Sequence, residues 1–143
     1  MTDNKAYKKH AIQLIDLKVV KLNIEANLDV DQTVPDEGNF RFYNGTSEYN
    51  EDKKVVLVKI GVEMGRGASD NDDSPFDLHV ELLGVFEVDE EQFPIEHIGD
   101  WAKRNAPLVL YPYLREHVHG LTSRAGFDGM LLPLFEVPTF RLR

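Results

Sequence analysis

From Phe76 to Leu82 apolar and polar side chains alternate without a break: Phe76, Leu78, Val80 and Leu82 fall on one side, Asp77, His79 and Glu81 on the other. Successive side chains of a strand leave opposite faces, so the pattern predicts a strand with one buried and one wet face. After Pro94 the spacing becomes helical, with Ile95, Ile98 and Trp101 on one side of a short helix that ends before Pro107. A half-buried sheet completed before the first helix constrains the chain to the α+β class, with helices packed on one face of the sheet.

The upstream segments supply the other three strands of an antiparallel sheet. Residues 11–30 alternate with two slips of phase: Ile12 and Leu14, then Ile15, Leu17 and Val19, then Val20, Leu22, Ile24 and Leu28. Each slip is what one extra residue in a strand produces, so a long bulged strand is expected, with Lys21, Asn23, Glu25 and Asn27 as the polar set of its second half. Residues 31–39, with Asp31, Pro35, Asp36, Glu37 and Gly38, read as a loop. A strand follows at about 40–49, then the turn Asn50-Glu51-Asp52, then Lys54–Met64 with Val56, Val58, Ile60, Val62 and Met64 on one face. These two form a hairpin.

Between Gly65 and Pro75 no residue is large enough to anchor a core, and a mobile loop is expected. In the second helix Tyr111, Leu114, Val118 and Leu121 make an apolar stripe at i, i+3, i+7 and i+10. Pro112 means that this helix either begins there or is kinked, and Gly126 is its expected stop. The tail Met130–Phe140, with Pro133 and Pro138, should be extended.

A chain of 143 residues, 42% of them hydrophobic, suffices for one core and is short for two, so residues 1–143 are read as a single domain. With no cysteine there is no disulfide frame, thiolate metal site or cysteine nucleophile. The sequence shows no secretory leader and no apolar run near 18 residues, so a cytoplasmic protein without direct membrane insertion is expected. The formal charge of −9 repels phosphate backbones, so no nucleic-acid partner is expected.

Candidate chemistry is sparse. Asp70-Asn71-Asp72-Asp73 lacks the alternate spacing, central Gly and distal Glu of a calcium loop, and Gly65-Arg66-Gly67 lacks the Lys-Ser/Thr of a phosphate cradle. His117 and His119 diverge by about 200° on a helix and do not share a ligand. Asn44-Gly45-Thr46 matches a glycosylation acceptor by chance in a chain expected in the cytoplasm. No active site, metal or cofactor is assigned, although a dispersed hydrolase or metal-enzyme site is a reading that turnover screening and metal analysis would test. More informative are Val55, Leu57 and Leu83, apolar side chains on the face that should be polar. They predict either an exposed apolar patch, which often marks a binding surface, or residues at a frayed edge or under a packed tail.

The segment Ala106-Pro107-Leu108-Val109-Leu110-Tyr111-Pro112-Tyr113-Leu114-Arg115-Glu116, running on to Ser123-Arg124-Ala125-Gly126-Phe127, resembles the signature helix of the SecB export chaperones. Phe76–Val88 and the acidic loop Asp89-Glu90-Glu91 are similar to that family's last strand and the loop after it, and Ile24-Glu25-Ala26-Asn27 resembles the end of its first strand. The resemblance implies the SecB fold, with two protomers joining sheets and two such dimers packing through their long helices into a tetramer. The Tyr111, Leu114, Val118 and Leu121 stripe would then serve both core and assembly.

It also implies an ATP-independent holdase, not an enzyme, that binds unfolded or precursor polypeptides and keeps them export-competent. Client binding is assigned to Phe40, Phe42, Val55, Leu57, Leu83, Phe127, Met130 and Leu132. Contact with the export motor SecA falls on Glu25, Asp77, His79 and Glu81, with Lys21 and His79 standing where the family carries acids. Those departures, and the absence from this sequence of the second helix and acidic tail that SecB proteins carry, lead to the expectation of weaker SecA binding. The alternatives are a SecB-like chaperone dedicated to one client, such as an antitoxin, and a SecB-fold binding protein without export duty.

Overall fold

The computed structural model describes residues 6–31, 40–66, 68 and 73–135. The loop expected at 31–39, the centre of the loop at 65–75 and the tail beyond 135 therefore lie outside the described residues, wholly or in large part. Four strands, β1 (Ile12–Ala26), β2 (Phe40–Thr46), β3 (Val55–Met64) and β4 (Phe76–Val88), precede α1 (Ile98–Arg104) and α2 (Ala106–Arg124). The strands form one sheet in the order β1-β4-β3-β2, and every neighbouring pair is antiparallel.

β1 accommodates its two phase slips as two bulges against β4. The register skips between Leu14 and Asp16 and again between Val19 and Lys21, leaving Ile15 and Val20 without cross-strand partners. Ile12, Leu14, Leu17, Val19, Leu22 and Ile24 consequently stay in register with the inward residues of β4, while Lys21, Asn23 and Glu25 oppose Glu81, His79 and Asp77 on the outer face.

β2 ends at Thr46, three residues earlier than its pattern predicts. The Ser47 hydroxyl takes the N–H of Leu57, and Asn50 caps the turn by accepting from the N–H groups of Asp52 and Lys53. Hydroxyl and amide side chains compete with ladder bonding in this way.

The helices cover one sheet face. Alternate residues of β3 (Val56, Val58, Ile60, Val62, Met64) and β4 (Phe76, Leu78, Val80, Leu82, Phe86, Val88) bury against Leu110, Tyr111, Leu114 and Val118 of α2. Gly84 lets the two layers approach closely, because a Cβ there would stand 2.7 Å from Leu110 Cδ2. α2 starts at Ala106 and carries Pro107 in its first turn, which needs no N–H there, so Pro112 lies inside the helix. Its missing N–H leaves the Leu108 carbonyl unpaired within the helix, on a side where both residues are exposed to water.

Beyond Gly126, whose φ of 93° suits glycine, the chain reverses and runs back along α2 without helix or strand. Thr122 Oγ1 accepts the N–H of Met130, Arg115 Nε donates to the Leu132 carbonyl at 2.9 Å, and the Tyr111 hydroxyl donates to the Pro133 carbonyl. Leu132 is buried in the core.

Candidate functional site

The returning tail, the edge strand β2 and the start of α2 enclose an open apolar groove of about 740 Å3. Phe40 and Phe42 face it from β2, and Pro107, Leu108, Tyr111 and Pro112 from α2. The Tyr111 and Phe42 rings meet edge to face at 5.7 Å and 84°, a favourable quadrupole geometry. Phe135 joins them at 5.5 Å from Phe42, 5.4 Å from Tyr111 and 6.3 Å from Phe40, yet is itself 45% exposed. Burial pushes the Tyr111 phenol above its ordinary pKa, keeping it a donor toward the tail. Lys103, Arg104 and Arg115 border the groove, and no carboxylate lines it among the described residues.

The outer face of the sheet has two parts. In the first, Tyr43 on β2 lies across Gly61 of β3, and its hydroxyl reaches β4, donating to Glu81 Oε1 at 2.7 Å and meeting His79 Nε2 at 2.6 Å. Glu63 Oε1 stands 3.4 Å from His79 Nδ1, and Glu63 Oε2 accepts from Arg41 at 2.5 Å. Desolvation, with the nearby Glu81 and Glu63 carboxylates, holds the Tyr43 phenol far above its usual pKa. The second part is apolar: Leu57 pairs with Val85 across β3 and β4, with Val55 and Leu83 beside them and Lys18 and Lys59 flanking Leu83.

The eight side chains assigned to client binding do not form one surface. Phe40 and Phe42 lie in the groove, Val55, Leu57 and Leu83 lie on the opposite face of the sheet, and Leu132 is core. Phe127 packs on Phe76 at 4.9 Å and Met130 is half-buried, neither of them lining the groove. The four positions assigned to SecA contact do share a face, since Glu25 opposes Asp77, and His79 and Glu81 follow at alternate positions of β4. Asp77, His79 and Glu81 are bonded within the chain, Asp77 accepting the Arg66 N–H at 2.8 Å.

The stripe assigned to core and assembly lies in the core of the single chain. Leu114 and Val118 are wholly covered, Tyr111 nearly so, and Leu121 is half-buried. What α2 leaves outside is Leu108, Val109 and Tyr113, each about 40% exposed. Helical period alone identifies an apolar side, not the neighbour that covers it.

Sequence reasoning missed Phe135, the bond of Arg115 to the tail and the Tyr43 network. A lone Gly61 in a β-branched strand was the available sign of the last, since glycine in a strand often marks a close approach by another group.

Residues 8–137 match the family of preprotein translocase subunit SecB. The chain belongs to the SecB family. It is 26% identical over 97 residues to the protein-export protein SecB of Ehrlichia chaffeensis, a match covering 64% of this chain and 55% of that protein. It is 33% identical over 88 residues to an uncharacterised protein of Methanocaldococcus jannaschii, covering 62% and 54% respectively. The chain thus spans about half the length of the curated relatives it matches. The fold matches that of the Mycobacterium tuberculosis SecB-like chaperone, solved in complex with a peptide from the HigA1 antitoxin, with a TM-score of 0.67 at 16% identity over 87% of this chain and 91% of that one. The four-stranded antiparallel sheet with helices on one face is therefore the SecB-like fold. No described helix is long and apolar enough to cross a membrane.

Proposed function

We propose that this SecB-family chain is an ATP-independent holdase that binds non-native polypeptides through the groove between β2 and α2 and keeps them export-competent. The observation that carries the reading is the groove itself: half-buried Phe40 and Phe42 beside Tyr111 at an open apolar cleft, already touching an irregular segment of the chain's own tail. Apolar client segments bury there without any chemistry, driven by removal of apolar surface from water. Several such sites on one oligomer would raise avidity through effective concentration. The surfaces left for a tetramer are the free edge of β1 and the outward Val109 and Tyr113 of α2. Delivery to SecA would use the outer face at Glu25, Asp77, His79 and Glu81.

Light scattering during dilution of chemically unfolded clients tests the holdase. Stoichiometric protein should delay aggregation without ATP, and Phe42→Asp should abolish the delay while leaving the circular dichroism unchanged. A time course unaltered for several unrelated clients would sink the general holdase. A chaperone dedicated to one client is the second reading, favoured by the antitoxin peptide bound to the M. tuberculosis SecB-like chaperone. Protection of one client alone would select it.

A further inference from the structure

Toward one end of the outer face of the sheet stand four acids: Glu25 of β1, Glu63 of β3, and Asp77 and Glu81 of β4. Carboxylates gathered on one face attract cationic groups of a partner. Glu25 is exposed, and among the described residues its carboxylate has no partner within the chain. The other three are half-buried and already held: Glu63 by Arg41 at 2.5 Å, Asp77 by the N–H of Arg66 at 2.8 Å, and Glu81 by the Tyr43 hydroxyl at 2.7 Å.

Of these contacts, the one made by Tyr43 spans three strands. Tyr43 sits on the edge strand β2 and reaches over β3 to β4, which the missing side chain of Gly61 permits, since a Cβ there would stand 2.2 Å from ring carbon Cζ. A phenol has one proton to give. With that proton on Glu81, the hydroxyl oxygen is left to accept from His79 Nε2 at 2.6 Å, so a single hydroxyl fixes two side chains. Desolvation and the Glu81 bond hold the phenol far above its usual pKa, which keeps the donor in place.

We infer that Tyr43 is a gate on the outer face: its hydroxyl holds Glu81 and His79 against the sheet, and a cationic group of a partner reaches Glu81 only by displacing it. The inference rests on the proposal that SecA docks on this face. Lys21, directly across from Glu81 on β1, and Arg41, paired with Glu63, add positive charge of the chain's own. Tyr43 thus sets specificity through Glu81. Removing the hydroxyl alone should free that carboxylate and tighten SecA binding about threefold to tenfold, the equivalent of one hydrogen bond at a half-exposed site.

Biolayer interferometry of SecA against the full chain at low salt tests this with Tyr43→Phe, Glu81→Gln, the two combined, and Glu25→Lys, the fold of each checked by its thermal melt. Tyr43→Phe should bind more tightly than the native protein. The gain should be absent with Gln at position 81 and should collapse near 1 M salt, where screening acts within about 3 Å. A general loosening of the sheet would give no gain that depends on both Glu81 and salt. Tyr43→Phe binding no tighter than native while Glu25→Lys weakens binding, or a gain that persists with Gln at position 81, overturns the gate and leaves the docking face standing. If no variant binds SecA, or binding is indifferent to both Glu25→Lys and Tyr43→Phe, the docking face fails and takes this inference with it.

Discussion

Replacing Gly61 by alanine should destabilise this protein although alanine is the better strand residue, and the sign should reverse once Tyr43 is gone. A Cβ at Gly61 would lie 2.2 Å from Cζ of Tyr43, whose ring crosses β3 at that point. The ring is the free end of a side chain and can swing away, but doing so breaks its bonds to Glu81 and His79. A hydrogen bond to a charged group contributes about 1.5–3 kcal/mol. The site is half exposed, so about 1–2 kcal/mol for the pair is the appropriate scale. Against this, removing glycine from a strand gains about 0.5–1 kcal/mol. The net cost of Gly61→Ala is then about 0–1.5 kcal/mol, whereas in a Tyr43→Ala background the same change should stabilise by about 0.5–1 kcal/mol. Urea unfolding at fixed protein concentration reads both, using the fluorescence of Trp101, which packs edge-on to Phe86 at 5.2 Å. A stabilising Gly61→Ala in the native background, or the same effect in both, would show that the Tyr43 bridge contributes nothing.

Leu114→Ala removes a wholly buried side chain from between helix and sheet and should cost about 2–5 kcal/mol in urea unfolding. Tyr113→Glu, on the outside of α2, should leave the thermal melt of the chain's secondary structure near native and lower the sedimentation coefficient of the proposed oligomer. Tyr43 and Tyr49 are both held above the ordinary tyrosine pKa of 10.0, Tyr49 at about 12 by desolvation and its bond to Glu90. A neutral phenol favoured by folding contributes stability that is whole below pH 10 and lost as pH rises through the folded-state values, so Tyr43→Phe should flatten the alkaline fall in unfolding free energy. Charge reversal at Glu25 and Glu81 together should abolish the proposed SecA contact, measured by pull-down at low salt, while leaving client holding intact.

Periodicity carried most of the fold. The phase slips at Ile15 and Val20, the alternation of β4 and the change of spacing after Pro94 each correspond to a real element, because local side-chain direction depends on backbone geometry alone. The end of β2 was not legible, since Ser47 and Asn50 divert backbone bonding through side chains that a hydrophobic pattern does not register. The groove was half legible. Phe40 and Phe42 were found, but Lys103, Arg104, Arg115 and Phe135 come from three other segments and meet only after the tail reverses at Gly126. The Tyr111, Leu114 and Val118 stripe was seen as apolar, yet only packing shows that the chain's own sheet already covers it.

The two bulges of β1 also fix where this strand can change length over evolution. Its 15 residues face the 13 of β4, and the surplus two are Ile15 and Val20. Loss of either leaves every remaining residue of β1 with its present partner on its present face, because the residues on each side of the gap already alternate. Loss of a residue away from the bulges inverts part of the strand unless the bulges shift. Insertions and deletions among descendants of this sequence should therefore gather at those two positions, where the strand carries spare chain that pairing does not use.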